Sequence, residues 1–304
     1  EFENPPLYAA DGTPLRLMVR TQRISTHDIN RGEIPFKDQI LAVNHHHMRD
    51  MVKNVLGSSQ YDPEDLGMEP NTVVVAAENV SLILLENVLR MYNAKSSTTT
   101  SLYQAWKRGD ESFAGHPMPE GIVTNGRLPY IMDTPSTKDE NDMTVSPEWL
   151  FERSICSREQ YNQIRNSSMM AFGIAHKFGD DKGLILVDTK TEHGIDSSRR
   201  IVSADELNTL DSSRWWLKDD YEEQVKLLDE GKIDEIAPRS YSKEFARGFS
   251  EGEKSYTDEQ RVAIAVRYIM GIQHLLGKRF KPDTRPRDER VKAGLENVVE
   301  KLAA

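Results

Sequence analysis

The chain has 304 residues with a formal net charge of −10, which argues against a general binder of nucleic acids or of membrane surfaces. Its composition, 38% hydrophobic and 29% charged, is ordinary for a soluble globular protein of one large domain or two closely packed ones. No apolar run approaches the ~20 residues that a membrane span requires, and no signal peptide is predicted. The single cysteine, Cys156, excludes an intramolecular disulfide and favours a reducing cytoplasm as the location.

The N-terminal part of the chain predicts a strand followed by a helix. Residues 11–21 are typical of a turn and a strand with alternating apolar side chains. A helix of about fifteen residues is predicted to end near Leu56. It carries His45, His46 and His47, but neighbours on a helix point about 100° apart, so the three rings cannot converge on one metal ion. We interpret them as a solvated helix face with one packed ring.

Two apolar, β-branched runs at residues 72–77 and 80–85 indicate either a buried hairpin or the crossing between two lobes. Glu86 and Arg90 then interrupt an apolar stretch. Either these two charges form an ion pair with each other, or the guanidinium group of Arg90 binds a phosphate. The Ser/Thr-rich segment 93–101 is correspondingly either a linker or a hydroxyl-lined anion loop.

Further along, the sequence favours helices with recognisable start signals. Ser146 followed by proline and an acidic residue is typical of a helix start, and Thr257 begins a capping box. A glycine, Gly179, is expected to end the long central helix. The predicted helical ranges are 101–109, a start at 146, 157–176, 242–249, 258–276 and 287–302.

A strand at residues 184–194 carries a row of charges directly after four apolar residues. Because side chains alternate along a strand, Asp188, Lys190 and Glu192 project from one face. The other face receives Thr189, Thr191 and His193. Charges lined up in this way cost stability unless they are paired or something binds them.

A second strand-like run at residues 201–206 follows a turn near Ser197. Folded as a hairpin, the two strands bring Asp205 close to Lys190 and Glu192. Carboxylates around one lysine suit a Mg²⁺-nucleotide site, because the metal prefers hard oxygen ligands. A purely structural ladder of ion pairs is the alternative interpretation.

Several of these stretches together resemble the phosphoribosylaminoimidazole-succinocarboxamide synthase (SAICAR synthetase) family. The resemblance covers about residues 14 to 276, and its strength lies in the order of the motifs. The matching stretches are Arg23-Ile24-Ser25 with Asp28, Ile34-Pro35 with Lys37, Glu86 with Arg90 and Ser101, Thr134-Pro135-Ser136-Thr137-Lys138, Asp188-Thr189-Lys190-Thr191-Glu192, Asp205-Glu206, Asp211-Ser212-Ser213-Arg214-Trp215-Trp216, and Lys243 with Phe245 and Arg247.

The resemblance implies an α+β fold with two lobes, antiparallel sheets, an ATP-grasp-like nucleotide cleft and a helical C-terminal part. The N-terminal nucleotide-binding lobe would span residues 1–86, and the lobe with the substrate and metal site residues 87–304. The implied reaction joins L-aspartate to the carboxylate of carboxyaminoimidazole ribonucleotide, with ATP cleaved to ADP and phosphate in purine biosynthesis. ATP and Mg²⁺ are the implied cofactors, and homo-oligomerisation is left open.

The same resemblance assigns tasks to individual residues. Lys190 would stabilise the charged carboxylate during transfer. By resemblance, Glu192 and Asp205 would hold Mg²⁺ against the ATP phosphates, and Asp188 and Lys190 would be the catalytic pair at the imidazole nucleotide. The ribonucleotide phosphate would be bound by Arg90, Ser101, Ser213 and Arg214. Lys138 and Asp211 would bind aspartate or nearby phosphates.

The chain also departs from the family pattern. The Gly-Lys-x-Arg-Asp loop that covers the ATP phosphates is not found before Leu15, so it either precedes Glu1 or is absent from the protein. A phenylalanine after the signature glutamate is His193 here, and the histidine run 45–47 replaces a largely apolar segment. Two alternatives therefore stay open: a diverged relative with another amine or carboxylate substrate, and a non-catalytic nucleotide-binding protein.

Overall fold

The computed structural model describes residues 7–26, 29–139, 142–252 and 254–302. His27 and Asp28, the latter part of the N-terminal motif, lie outside the described residues. The N-terminal part contains short strands around one helix. Its elements are β1 (Leu7–Tyr8), β2 (Pro14–Val19), β3 (Arg23–Thr26), β4 (Ile29–Glu33), α1 (Lys37–Val52) and β5 (Val74–Glu78).

The middle of the chain begins with a long strand and ends with a long helix. Ser157 and Gln160 form a capping box at the start of that helix, in which each side chain bonds the other residue's backbone N–H. The elements are β6 (Ser81–Tyr92), α2 (Leu102–Arg108), β7 (Ser112–Phe113), β8 (His116–Pro117), β9 (Arg127–Asp133), β10 (Ser136–Thr137), α3 (Pro147–Glu152) and α4 (Arg158–Asp181).

The C-terminal part contains the charged strand and then helices. Thr257 and Gln260 form the predicted capping box at the start of α7. The elements are β11 (Leu184–Ile195), β12 (Ile201–Ser203), β13 (Ser213–Leu217), α5 (Lys218–Asp229), α6 (Glu244–Arg247), α7 (Asp258–Leu276) and α8 (Arg287–Leu302).

Two larger antiparallel sheets organise most of the strands, and β3 with β4 and β7 with β8 form two-stranded sheets of their own. A three-stranded sheet has the order β1-β2-β5, and a six-stranded sheet has the order β10-β6-β11-β12, with β13 also paired to β11 and β9 to β6. The long strands β6 and β11 are therefore the centre of the larger sheet. The α+β class with antiparallel sheets that the resemblance implied is confirmed.

The two apolar runs at residues 72–85 do not form a hairpin with each other. Strand β5 pairs with β2 in the smaller sheet, whereas β6 pairs with β11 in the larger one. The chain thus crosses from one sheet to the other between Glu78 and Ser81, so the hairpin interpretation is wrong.

The prediction that Gly179 ends the central helix is wrong, because α4 continues to Asp181. Gly179 lies where the helix meets the sheet: a Cβ there would stand 2.5 Å from Cζ3 of Trp215 and 3.2 Å from the carbonyl oxygen of Leu184. Glycine is therefore required for close packing, not for a helix end. The predicted helix at residues 242–249 is also shorter than expected. Helix α5 was not predicted, although Tyr221, Val225 and Leu228 lie at helical spacing and pack into one cluster.

The main hydrophobic core lies between the larger sheet and helices α1, α4 and α7. Trp215, Phe172 and Tyr268 are among its fully buried side chains. On the opposite face, α5 covers the start of β11, where Ile185 and Val187 pack with Tyr221. Polar chemistry is therefore confined to the part of that face that follows Val187. No helix in the described part of the chain is long and apolar enough to cross a membrane.

The last helix, α8, covers the smaller sheet, as expected for a packing element. Val298 is buried against Leu66, Met68 and Val74. Gly294 allows the close approach, because a Cβ there would lie 2.6 Å from a methyl group of Val74. The C-terminal segment thus stabilises the N-terminal sheet.

Candidate active site

The charged row of β11 lies on one face of the larger sheet, as predicted. Strand β6 supplies the residues opposite it: Arg90 pairs with Asp188, and Glu86 pairs with Glu192. Residues directly opposed in an antiparallel pair share a face, so this side of the sheet carries charges from both strands. Lys190 lies between the two ends of the row.

Asp188 is held between two arginines. Arg214 Nε lies 2.9 Å from Oδ1 of Asp188, and Arg90 Nη1 lies 3.4 Å from Oδ2. Arg90 also donates from Nε to Thr134 Oγ1 at 3.0 Å. Arg90 and Glu86 therefore do not pair with each other, and the interpretation that they form an ion pair is wrong.

Burial and the two arginines act in opposite directions on the protonation of Asp188. Burial would raise the pKa of Asp188, but the guanidinium groups of Arg214 and Arg90 outweigh it and lower the pKa overall. Burial and the neighbouring Arg214 lower the pKa of Arg90 to about 10, despite the opposing effect of Asp188. All three groups are thus charged at neutral pH, and the end of the row carries one net positive charge.

The other end of the row is a network of lysines and carboxylates. Lys190 Nζ lies 2.5 Å from Oε1 of Glu86 and 3.8 Å from Oε1 of Glu192. Lys138 pairs with the second oxygen of Glu192. Burial alone would lower the pKa of Lys190, but its bond to Glu86 and the charges of Glu192 and Asp205 raise it overall. Lys190 is therefore positively charged at neutral pH, in the middle of the row.

The predicted hairpin brings Asp205 to this network. Strands β11 and β12 pair around the turn, and Ala204 N donates to the carbonyl oxygen of Glu192 at 2.9 Å. Asp205 is exposed, and its charge acts on Lys190. Mg²⁺ is commonly bound by one or two carboxylates together with substrate phosphates and water, so the pair Glu192 and Asp205 fits this metal.

A cleft of about 520 Å³ runs along the positive end of the row. The hydroxyl-rich segment 96–101 lines it together with Arg90 and Arg214, so this segment is more than a linker. Ser101 caps α2, where its hydroxyl accepts from Gln104 N at 3.3 Å. Ser213 also lines the cleft, and its hydroxyl lies 2.7 Å from that of Thr189. A larger hollow of about 870 Å³ beside α8 contains none of the predicted site residues.

Asp211 lies at the far side of the same cleft and not beside Lys138. Lys37 Nζ lies 2.6 Å from its Oδ2, and the Tyr268 hydroxyl donates to Oδ1. Burial would raise the pKa of Asp211, but Lys37 and Lys243 lower it overall. Burial, Lys37 and Arg247 lower the pKa of Lys243. The structure therefore separates two residues, Lys138 and Asp211, that the sequence interpretation had grouped.

Some functional neighbours carried no assigned role before the structure was known. Glu86 holds Lys190, Lys37 holds Asp211, and Lys243 and Arg247 line the cleft. All belong to stretches that match family motifs, which was the available signal. Their partners lie far away in the chain, so spacing alone could not assign them.

The three histidines of α1 point to three different places, as helical geometry requires. His45 is buried, and its Nδ1 accepts from Leu207 N at 3.1 Å. His47 also packs, on Phe178, with ring centroids 5.1 Å apart, so two rings are packed and not the one that was predicted. His46 lies near Asp62 and Glu64. That is the only group of three potential metal ligands among the described residues, and Arg49 already pairs with Asp62.

Comparisons with known proteins agree on one family. The SAICAR synthetase family model matches residues 6–262. The chloroplastic phosphoribosylaminoimidazole-succinocarboxamide synthase of Arabidopsis thaliana is 30% identical over 298 residues, which cover 94% of this chain and 69% of that protein. The enzyme of the same name from Legionella pneumophila (strain Paris) is 30% identical over 280 residues, covering 89% and 85%.

Solved structures share the fold. The SAICAR synthase of Saccharomyces cerevisiae superimposes with a TM-score of 0.69 at 22% identity, over 93% of this chain and 98% of that one. Because the identity is low, this similarity shows the fold alone. The family match over most of the chain and the two relatives with 30% identity go further. The chain belongs to the SAICAR synthetase family.

Proposed function

We propose that this cleft joins L-aspartate to the carboxylate of carboxyaminoimidazole ribonucleotide, with ATP cleaved to ADP and phosphate. This is the reaction of the family to which the chain belongs. One observation carries the assignment to these residues: a single sheet face holds two arginines at one end, a lysine in the middle and two carboxylates at the other. A substrate with a phosphate and a carboxylate fits that order of charges.

The chemistry explains why the groups are arranged in a row. A carboxylate is a poor electrophile, so the γ-phosphoryl group of ATP is first transferred to a carboxylate oxygen of the ribonucleotide. The amine of aspartate then attacks the carbonyl carbon, and inorganic phosphate leaves. Such a reaction depends on positioning and on neutralising charge, because the protein forms no covalent bond. Lys190 lies where it neutralises the carboxylate under attack.

The remaining assignments follow from position. Arg90 and Arg214, with Ser101 and Ser213, bind the ribonucleotide phosphate. Asp188, which the resemblance assigned with Lys190 to the imidazole nucleotide as the catalytic pair, is proposed instead to orient both guanidinium groups, because both pair with its carboxylate. The buried ion pairs cost desolvation energy, which a bound phosphate offsets by using the donors that face the cleft. Glu192 and Asp205 would hold Mg²⁺, which supplies charge neutralisation for the phosphates of ATP. Lys138, at Glu192, faces those phosphates, whereas Asp211 faces aspartate across the cleft.

We also propose that residues 1–86 provide the nucleotide-binding lobe and residues 87–304 the lobe with the substrate and metal site. Helix α8 lies within the range 87–304 but packs on the smaller sheet, which belongs to the first lobe. The division falls inside β6, which runs from Ser81 to Tyr92 without a break. One continuous strand thus links the lobes beside Glu86.

The test is a coupled assay of ADP release with the purified full chain, Mg²⁺, ATP and carboxyaminoimidazole ribonucleotide. ADP release is expected to require L-aspartate, with other amino acids inactive. Glu192→Gln is expected to lower turnover by at least about a hundredfold, because it removes a charged metal ligand. Glu296→Gln, whose side chain is 66% exposed on α8, is the matched control.

Two results would contradict the proposal at different points. ADP release that does not depend on aspartate would refute the substrate. Full turnover by the Glu192→Gln variant would refute the metal assignment while leaving the reaction intact. Circular dichroism of each variant shows whether the fold is retained.

A further inference from the structure

The loop at residues 204–212 carries both Asp205 and Asp211, yet it contains no helix or strand. It connects β12 to β13. Its first residue is tied to the sheet through the bond from Ala204 N to Glu192 O. Something else must hold the rest, because a loop of this length without partners would adopt many conformations.

Helix α1, which is remote in sequence, supports the loop through three side chains: Lys37 binds the Asp211 carboxylate, and two others bind the loop backbone. Asn44 Oδ1 accepts from Leu210 N at 2.9 Å, and His45 Nδ1 accepts from Leu207 N at 3.1 Å. A further contact comes from Arg20, directly after β2, whose Nη1 lies 2.8 Å from Oε1 of Glu206. At the other end of the loop, Lys190 N donates to Ser212 O at 3.0 Å. Of these supports, only Asn44 and His45 are adjacent side chains of one helix that accept from the loop backbone.

These bonds are shielded from water. Asn44 is 0% exposed and His45 3%, and the two loop residues they hold are equally buried. If an acceptor were removed, the backbone N–H would lose its partner in a place that water does not reach. An imidazole accepts at Nδ1 only when it is neutral with its proton on Nε2. Burial, with Arg20 and Arg49 nearby, lowers the pKa of His45 well below its usual value, which keeps the ring neutral.

The neighbouring histidines provide an internal comparison. His46 faces Asp62 and Glu64 at the surface, and His47 packs on Phe178. Among the three rings, His45 is the one whose nitrogen reaches the loop in the described structure. The histidine run that looked like a metal motif therefore contains one residue with a distinct task.

We propose that His45 and Asn44 are positioning residues, which set the 204–212 loop so that Asp205 stands beside Glu192 and Asp211 faces the cleft. This inference rests on the proposed function, in which Asp205 holds the metal ion. Neither side chain touches a substrate. Both act through the backbone of the loop, so their removal changes the geometry of the metal site before it changes the chemistry.

The test compares two substitutions at one position. His45→Phe keeps a ring but removes the acceptor, whereas His45→Asn places Oδ1 on Cγ, where the histidine has Nδ1. With saturating ATP, aspartate and ribonucleotide, His45→Phe is expected to raise the Mg²⁺ concentration for half-maximal ADP release by about tenfold, from the loss of one buried hydrogen bond. His45→Asn is expected to stay within about twofold of the wild type. His47→Phe, which keeps an aromatic ring against Phe178, is the control and should leave the Mg²⁺ dependence unchanged.

The inference is overturned if His45→Phe shows the Mg²⁺ dependence of the wild type, or if His47→Phe shifts it equally. Should His45→Phe fail to fold by circular dichroism, Asn44→Leu is measured with Asn44→Asp as the acceptor-retaining partner, under the same criterion. A wild-type protein without aspartate-dependent turnover would refute the proposed function instead. In that case, calorimetric titration of the same variants with ATP at several Mg²⁺ concentrations decides the positioning role.

Discussion

His193 is expected to make the stability of this protein depend on pH. Its side chain is 0% exposed, and its only described hydrogen bond joins Nε2 to Ser168 Oγ at 3.3 Å. Nδ1 has no partner within the described structure. Burial lowers the pKa of His193 from 6.5 to about 4. The folded protein therefore resists protonation of a ring that the unfolded chain accepts readily.

The direction of the effect follows from proton linkage. Below pH 6.5, the unfolded state binds more protons than the folded state, so acidification stabilises the unfolded chain. The stability contributed by a neutral His193 is complete above pH 6.5 and is lost as the pH falls toward about 4. Between pH 8 and pH 5, this one residue should remove about 2 kcal/mol from the free energy of unfolding.

Urea unfolding of the full chain at pH 8 and at pH 5, followed by circular dichroism, measures this loss. His193→Phe and His193→Gln differ in size and polarity, but neither side chain titrates. Both variants should therefore lose about 2 kcal/mol less than the wild type on acidification, whatever their stability at pH 8. If the wild type and both variants lose the same amount, burial does not hold this ring neutral and the reasoning fails.

Two further predictions concern packing and charge. Gly179→Ala should destabilise the fold by up to about 2 kcal/mol, because overpacking against Trp215 costs about 1–3 kcal/mol and alanine returns about 1 kcal/mol of helix propensity. The control Gly173→Ala, on the same helix with nothing within 4 Å of its Cβ, should be stabilising, and thermal unfolding distinguishes the two. Glu86→Gln should lower kcat/KM by about tenfold and move the alkaline limb of its pH profile to lower pH, because the pKa of Lys190 falls. An unchanged alkaline limb would show that Glu86 does not control the charge of that lysine.

The departure at His193 has a structural explanation. In the sequence, a polar ring replaces the phenylalanine that the family pattern leads one to expect at this position. In the structure, Ser168 of α4 lies beside both Thr191 and His193 on the back of the sheet. Helix α4 thus offers the ring a polar partner at the place where it is buried, which the strand pattern alone did not reveal.

The alternation of β11 was predictable because it is a local property of the chain. Consecutive residues on a strand must face opposite sides, so Asp188, Lys190 and Glu192 share a face in any fold that keeps the strand. The hairpin to Asp205 was equally accessible, since a short turn between two strands restricts the pairing. The capping box at Thr257 and the helix start at Ser146 were predicted for the same reason: their hydrogen bonds join residues three apart.

Partners from remote segments were decided only by the tertiary structure. Whether Arg90 pairs with Glu86 or with Asp188 depends on which strand lies beside β6, and a period of two does not specify that. The same holds for Lys138 at Glu192 and for the contact of His45 with the 204–212 loop. The sequence by itself therefore determined which charges share a strand face, because side chains alternate between the two faces along a strand. The tertiary structure decided which partner each charge binds, because strand pairing and helix packing depend on burial summed over the whole chain.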